Sequence, residues 1–221
     1  MKHSLRIAAR VAEIGVRNVW RNPKRTAFTV AAVAVGLWSA LALSALARGL
    51  NRQMVVDAVN DMTGHVQLHA PGYLDDPTVQ RSMPPLDAAL REALARPDIT
   101  AYASRVRVPA VVMSERDSAG VTFFGIQPER EVGLSFIPDT VASGRYLEDS
   151  GDEGIIIGAA LARKLETGLG KRVVLMSEGV NGAIADRGFR VVGLYRAQVE
   201  GTEKAYAFTG LHTAQAMLGL G

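Results

Sequence analysis

Apolar positions are spread unevenly along this chain. From Thr26 to Ala47 no side chain is charged, with Lys24 and Arg25 just before the run and Arg48 just after it. At about 1.5 Å per residue, some 20 apolar residues span a hydrocarbon layer roughly 30 Å thick, so residues 23–47 are predicted to form a transmembrane helix. Upstream, Ile7, Val11, Ile14 and Val19 recur at helical spacing with Arg10, Arg17 and Arg21 between them. That pattern predicts an amphipathic helix within residues 1–22, lying in the headgroup layer, and Asn22-Pro23 turns the chain out of it. Downstream, Met54, Val55, Ala58, Val59 and Met62 share one face, which extends the helix as a stalk over residues 48–63 until Thr63-Gly64 ends it.

Beyond the stalk the period changes repeatedly. His65 to His69 alternates polar and apolar side chains, as a half-buried strand does, and Pro71-Gly72, Asp76-Pro77 and Pro84-Pro85 mark residues 70–85 as loop. Leu86 to Arg96 has helical spacing and stops before Pro97. Ile99 to Glu115 reads as a strand, with Val106, Val108, Ala110 and Val112 alternating against Arg105, Arg107, Pro109 and Val111. A turn at residues 116–120 returns it as a second strand over Val121 to Ile126. Residues Gly144 to Leu147 form a turn, Gly154 to Gly158 a buried strand, and Ala159 to Leu165 a helix broken by Gly168-Leu169-Gly170. Strands over Arg172–Ser177, Phe189–Tyr195 and Ala205–Phe208 and a helix over Leu211–Leu218 complete the pattern. The expected fold class is α+β: one N-terminal transmembrane helix with a helical stalk, then a mixed α/β extracytoplasmic domain over 64–221, undivided or split into two subdomains near Gly144.

Charge decides which side of the bilayer that domain occupies. The whole chain is basic, with 25 Lys and Arg against 22 Asp and Glu, yet seven of the basic residues and only one acid, Glu13, fall within residues 1–25. Basic residues flanking a crossing mark the cytoplasmic side and attract anionic headgroups, a role assigned to Arg17, Arg21, Lys24 and Arg25. Everything from Arg48 outward then lies outside the cytoplasm and is mildly acidic, which excludes nucleic acid as a partner. Ala45-Leu46-Ala47 resembles a cleavage site, but the apolar run is longer than the 7–15 residues or so of a signal core and its basic preface is long, so a retained anchor is expected. Cysteine is absent, which is neutral about compartment. Within the crossing, Ala31, Ala32, Ala34, Gly36, Ala40, Ala42 and Ala45 form a small-residue surface suited to close helix packing in lipid.

Catalytic patterns are missing. Gly168-Leu169-Gly170-Lys171 continues into Arg172 and is preceded by Leu165 where a phosphate loop needs glycine, so no ATP hydrolysis is expected, and no nucleophile elbow occurs. On a strand His65 and His69 would stand about 13 Å apart, too far to share a metal. Asp75-Asp76 and Glu148-Asp149 read as solvated loop charge rather than an acid and base pair. No catalytic, cofactor or metal residue is assigned.

The segment Ile14 to Thr26, with its Arg-Asn-Val-Trp-Arg-Asn core, the Gly64-His65-Val66-Gln67-Leu68-His69 stretch, Gly144-Arg145-Tyr146-Leu147, Gly154 through Leu165 and Gly170-Lys171-Arg172-Val173 together resemble the MacB/LolC/LolE-like permeases, the FtsX-related membrane subunits of ABC transporters. The resemblance implies a non-catalytic subunit of the mechanotransmission type. A separate ATPase subunit would bind ATP and magnesium, and the moving helices would do work outside the membrane, with lipoprotein release or export the favoured task. It implies as partners that ATPase, a second permease subunit in a homo- or heterodimer, the remaining transmembrane half of the permease, and a lipoprotein or other amphiphilic substrate. The expected location is a bacterial inner membrane with the main domain in the periplasm. The face of Met54, Val55, Ala58, Val59 and Met62 is expected to meet the partner subunit. Family members have four crossings, so the chain reads as an amino-terminal half. The alternative is a singly anchored periplasmic scaffold or regulator of an envelope enzyme.

Overall fold

Three consecutive isoleucines, Ile155, Ile156 and Ile157, are fully buried in one strand, which is therefore covered on both faces. The computed structural model describes residue 15, residues 21–58 and residues 62–220, with 52–58 described by backbone course alone. The chain divides into two units, Met1–Asp57 and Ala58–Gly221.

Helix α1 (Pro23–Ala58) runs unbroken for 36 residues. Pro23 occupies its first position, where a missing N–H costs nothing, and the Thr26 N–H donates to the Asn22 carbonyl at 3.1 Å. The predicted crossing and most of the predicted stalk are therefore one helix. The amphipathic helix predicted before it falls almost wholly outside the described residues.

The second unit begins with an irregular stretch that holds a short 3-10 turn at Val79–Arg81 and α2 (Ala88–Leu94). Asp87 caps α2, its side chain accepting the Leu90 N–H at 2.7 Å, which starts the helix two residues later than its apolar spacing suggested. The remaining elements are β1 (Val106–Met113), β2 (Ser118–Ile126), α3 (Pro128–Glu131), α4 (Ile137–Thr140), β3 (Val141–Gly144), β4 (Gly154–Gly158), α5 (Ala159–Lys164), β5 (Arg172–Glu178), β6 (Ile184–Tyr195), α6 (Glu200–Ala205), β7 (Tyr206–Gly210) and α7 (Leu211–Leu218).

All seven strands form one sheet in the order β3-β6-β4-β7-β2-β1-β5, and β5 pairs again with β6. Long β6 makes this closure possible: Ile184–Arg190 pairs antiparallel with β5, while Arg190–Tyr195 pairs in parallel with β4. Six strands thus return on themselves and leave β3 on the outside of β6. Because β2 pairs with β7 and β1 with β5, strands from before Gly144 are joined to strands from beyond it, and the sheet runs without a boundary at that residue. Gly144 serves instead as a tight passage, with φ of 84° and a would-be Cβ overlapping the Val192 carbonyl.

Alternation along the strands separates two apolar clusters. One face carries Val106, Val108, Ala110 and Val112 with Phe123, Ile155 and Ile157, covered by Leu161 and Leu165 at α5 and by Leu211, Ala214 and Leu218 of α7. The opposite face carries Phe124, Ile126, Ile156, Tyr195 and Phe208, closed by Ile137, Leu147 and Met62. Phe208 stacks on Phe124 at 5.4 Å and meets Tyr195 edge-on at 5.6 Å between ring centres.

Two expectations fail. His65 to His69 forms no strand: Val66 is 82% exposed and Leu68 57%, so neither alternating set finds a partner surface. The first strand of the hairpin begins at Val106 rather than Ile99.

Candidate functional site

In the first unit, Pro23–Asn51 is long and apolar enough to cross a membrane, and its side chains are uncovered, among them Phe28, Trp38, Leu41 and Leu43. At about 1.5 Å per residue its 29 residues reach about 43 Å, which exceeds a hydrocarbon core of roughly 30 Å. One of its hydroxyls is satisfied within the helix, where Thr29 Oγ1 donates to the Arg25 carbonyl at 3.0 Å. Arg21, Lys24 and Arg25 are exposed around the start of α1, and Arg17 lies outside the described residues. Of the predicted stalk face, Met54, Val55 and Ala58 lie on α1 and Val59 lies outside the described residues.

Met62 corrects the prediction for that face. It is 5% exposed and packed in the cluster of Phe124, Ile126 and Phe208, so its side chain belongs to its own domain and is not free for a partner subunit. Its backbone has φ of 71°, an uncommon conformation for a side-chain-bearing residue, and its carbonyl accepts Arg105 Nη1 at 2.6 Å. The same guanidinium donates Nε and Nη2 to the two carboxylate oxygens of Glu131, both at 2.7 Å, in a bidentate pair. The Glu131 side chain is wholly buried and that of Arg105 is 19% exposed. A second tie lies beside this one, where the Ser104 N–H donates to Gln127 Oε1 at 2.9 Å. Next to them the Tyr146 phenol is half-buried, and burial together with Glu131 and Glu129 pushes its pKa up.

The other residues that resemble family motifs hold turns. Arg145 pairs with Asp152, which also accepts the N–H groups of Glu148 at 2.9 Å and Gly154 at 2.8 Å. Burial alone would raise the Asp152 pKa, but the Arg145 hydrogen bond and the two backbone N–H groups outweigh it and hold the carboxyl below its usual range. The same partner raises the pKa of Arg145. Glu203, buried on α6, accepts the Ala160 N–H at 2.9 Å and the Ala197 N–H at 3.1 Å, supplying α5 with the cap that Gly158 lacks. Glu131, Asp152 and Glu203 were not singled out from the sequence. Each acts on partners fixed only by the fold.

The predicted loop charges are in place. Asp76 approaches Arg81 at 3.4 Å, and Asp149 accepts the Gly151 N–H at 2.7 Å. His69 stacks on Tyr73 at 4.9 Å and its Nε2 meets Gln67 Oε1 at 2.9 Å. Among the described residues no group of His, Asp and Glu is arranged to hold a metal. Two open depressions lie among the described residues, one of ≈ 450 Å³ lined by Gln67, Leu68, His69, Gly72 and Leu74 and one of ≈ 390 Å³ between the end of α2 and α3. Neither brings together a nucleophile, a base and an oxyanion donor.

An apolar helix long enough to cross a membrane, followed by a closed mixed sheet whose buried ions hold turns, a helix start and one lead-in carbonyl, is the class of protein the described residues define. The profile of the MacB-like periplasmic core domain matches residues 26–220, and the chain belongs to that family, the periplasmic part of ABC-type permeases. No curated protein matches the sequence. Among solved structures, the crystal structure of the extracellular domain of the noncanonic ABC-type transporter YknZ from Gram-positive bacteria aligns at 17% identity with a TM-score of 0.44. That match covers 58% of this chain and 64% of the YknZ domain.

Proposed function

We propose that this chain is the amino-terminal part of a non-catalytic ABC permease subunit that carries displacement from the cytoplasmic side of a bacterial inner membrane to a periplasmic domain. The observation that carries the reading is α1, 36 residues without a break. At about 54 Å it is longer than a bilayer core, so a stiff rod extends past the lipid. The inner end is set by basic residues Arg17, Arg21, Lys24 and Arg25 among lipid phosphates, with the amino terminus cytoplasmic. ATP and magnesium belong to a partner ATPase, and a second permease subunit and the remaining transmembrane helices complete the assembly. Met54, Val55, Ala58 and Val59 face that second subunit. An amphiphilic cargo, a lipoprotein foremost, suits a machine whose work is done at the outer leaflet.

The test is copurification of the permease with an ATP-binding-cassette subunit, followed by ATP turnover of the complex with Leu50→Pro in α1. Proline inside a helix costs roughly 3 kcal/mol and kinks it. Under this proposal the variant complex assembles but loses cargo-dependent stimulation of ATP turnover. Retained stimulation, or no ATPase copurifying with the wild type, refutes the reading.

A further inference from the structure

We infer that Arg105, oriented by Glu131, is a latch on the Met62 carbonyl through which displacement of the preceding helix reaches the sheet; this deepens the proposed function and rests on it. Three observations carry the inference. Ala58 is the last described residue of the helix and Met62, four positions on, is the next described residue, so a pull transmitted through the backbone passes Met62 on its way to the sheet. Met62 is gripped twice, by its side chain in the aromatic cluster around Phe124 and Phe208 and by its carbonyl on Arg105 Nη1 at 2.6 Å. Arg105 cannot swing away freely, because its other two guanidinium nitrogens each donate to a carboxylate that has no exposure to water.

The latch is also tied to the sheet at both ends. Arg105 immediately precedes β1, and Glu131 ends the short helix α3, which begins two residues after β2. The adjacent Ser104 N–H to Gln127 hydrogen bond fixes the same two strand ends to each other. A displacement of Met62 therefore loads the β1–β2 hairpin, which forms eight cross-strand residue pairs. A buried ion pair is a poor means of adding stability, since two well-packed apolar side chains do as well. Its directional hydrogen bond to one backbone carbonyl is what apolar packing cannot supply.

The test compares wild type with Arg105→Met/Glu131→Met, which keeps volume and leaves no unpaired buried charge, and with Arg105→Lys, which keeps charge but cannot span three acceptors. Hydrogen exchange is read by mass spectrometry on the permease–ATPase complex in lipid discs, with and without ATP. The double variant is expected to exchange the amides of residues 62–65 about ten- to a hundredfold faster, the effect of losing one charge-assisted hydrogen bond, while β4 is unchanged. ATP-dependent change across β1 and β2, present in wild type, is expected to disappear in the double variant and to weaken with Arg105→Lys, which also serves if the double variant does not fold. Unaltered exchange at 62–65 overturns the latch. Faster exchange there with the ATP-dependent change intact overturns its role in transmission but leaves the transport reading standing. A wild-type complex showing no ATP-dependent change at the sheet refutes the transport reading, and with it the transmission, whatever the local exchange shows.

Discussion

Replacing Glu203 by alanine isolates one capping effect in the domain. The carboxylate, on a residue only 8% exposed, accepts the N–H of Ala160 at the start of α5 and the N–H of Ala197 after β6. No side chain of Gly158 substitutes for it, and a Cβ at Gly158 would overlap the Glu203 backbone, so the cap cannot be moved there. Each N–H stranded in a buried site costs about 1–3 kcal/mol, and the lost interaction with the helix dipole adds about 0.3–1 kcal/mol. Partial access of water to a six-residue helix places the expected loss near 3 kcal/mol. A domain of this size shifts by about 2–4 °C per kcal/mol, so Tm should fall by about 6–12 °C. Near-ultraviolet circular dichroism of the tyrosines in detergent is the suitable assay, because Trp20 and Trp38 both precede the domain and report little of its packing. Glu203→Gln keeps one acceptor oxygen and should lose about half as much. A Glu203→Ala Tm within about 2 °C of wild type would refute the capping role.

Asp152→Asn should destabilise the chain by about 1–2 kcal/mol at pH 7 through the weakened Arg145 pair. The folded carboxyl pKa is depressed, so its stabilisation is present above the unfolded value near 3.9 and lost as pH falls through the folded value. The difference between wild type and variant in urea titrations should thus be full above about pH 4 and close below it, and a difference independent of pH would contradict the assignment. Phe208→Ala, at a fully buried ring touching Phe124 and Tyr195, should cost about 3–5 kcal/mol in denaturant midpoint analysis, and less than about 1.5 kcal/mol would show that the cluster repacks freely. Gly125→Ala places a Cβ onto the Ala214 Cβ where α7 crosses β2 and should cost about 1–3 kcal/mol. Ala214→Gly in the same chain should recover part of that loss, a coupling read from a double-mutant cycle.

Elements whose pattern is decided by their own burial were legible in the sequence. The even-numbered residues of Val106–Val112 point into one cluster as their alternation required, and the run of Ile155 to Ile157 reads directly as a strand covered on both faces. Strand β6 was underestimated because its first half lies in an outer hairpin, where Ile184 is 73% exposed and Asp186 and Arg187 face β5 partners rather than a core. The opposite error occurred at His65 to His69, where a correct period met no neighbouring strand; alternation states what a strand could bury and not whether anything is there to bury it against. The ionic sites were illegible for a related reason. Glu131 is 26 residues from Arg105, and Glu203 is 43 from Ala160, and neither acid carries a local signature that separates it from solvated charge.

The position of those buried acids bears on how such a domain can do work without chemistry. Glu203 and Asp152 bind backbone N–H groups within the folded body and make it stiffer. Glu131 is spent differently, since it orients a cation whose third nitrogen reaches the first described residue after the helix. A sheet closed through six strands resists shear, because a strand cannot slip by one residue without exchanging its buried and exposed sets all around the ring. Under the proposed function, displacement delivered at Met62 is therefore not absorbed by local slippage of the sheet and moves the body as a unit. The latch variants remove the directional carbonyl hydrogen bond on that route and leave the strand pairing of the ring in place, which is why they should uncouple the machine before they unfold it.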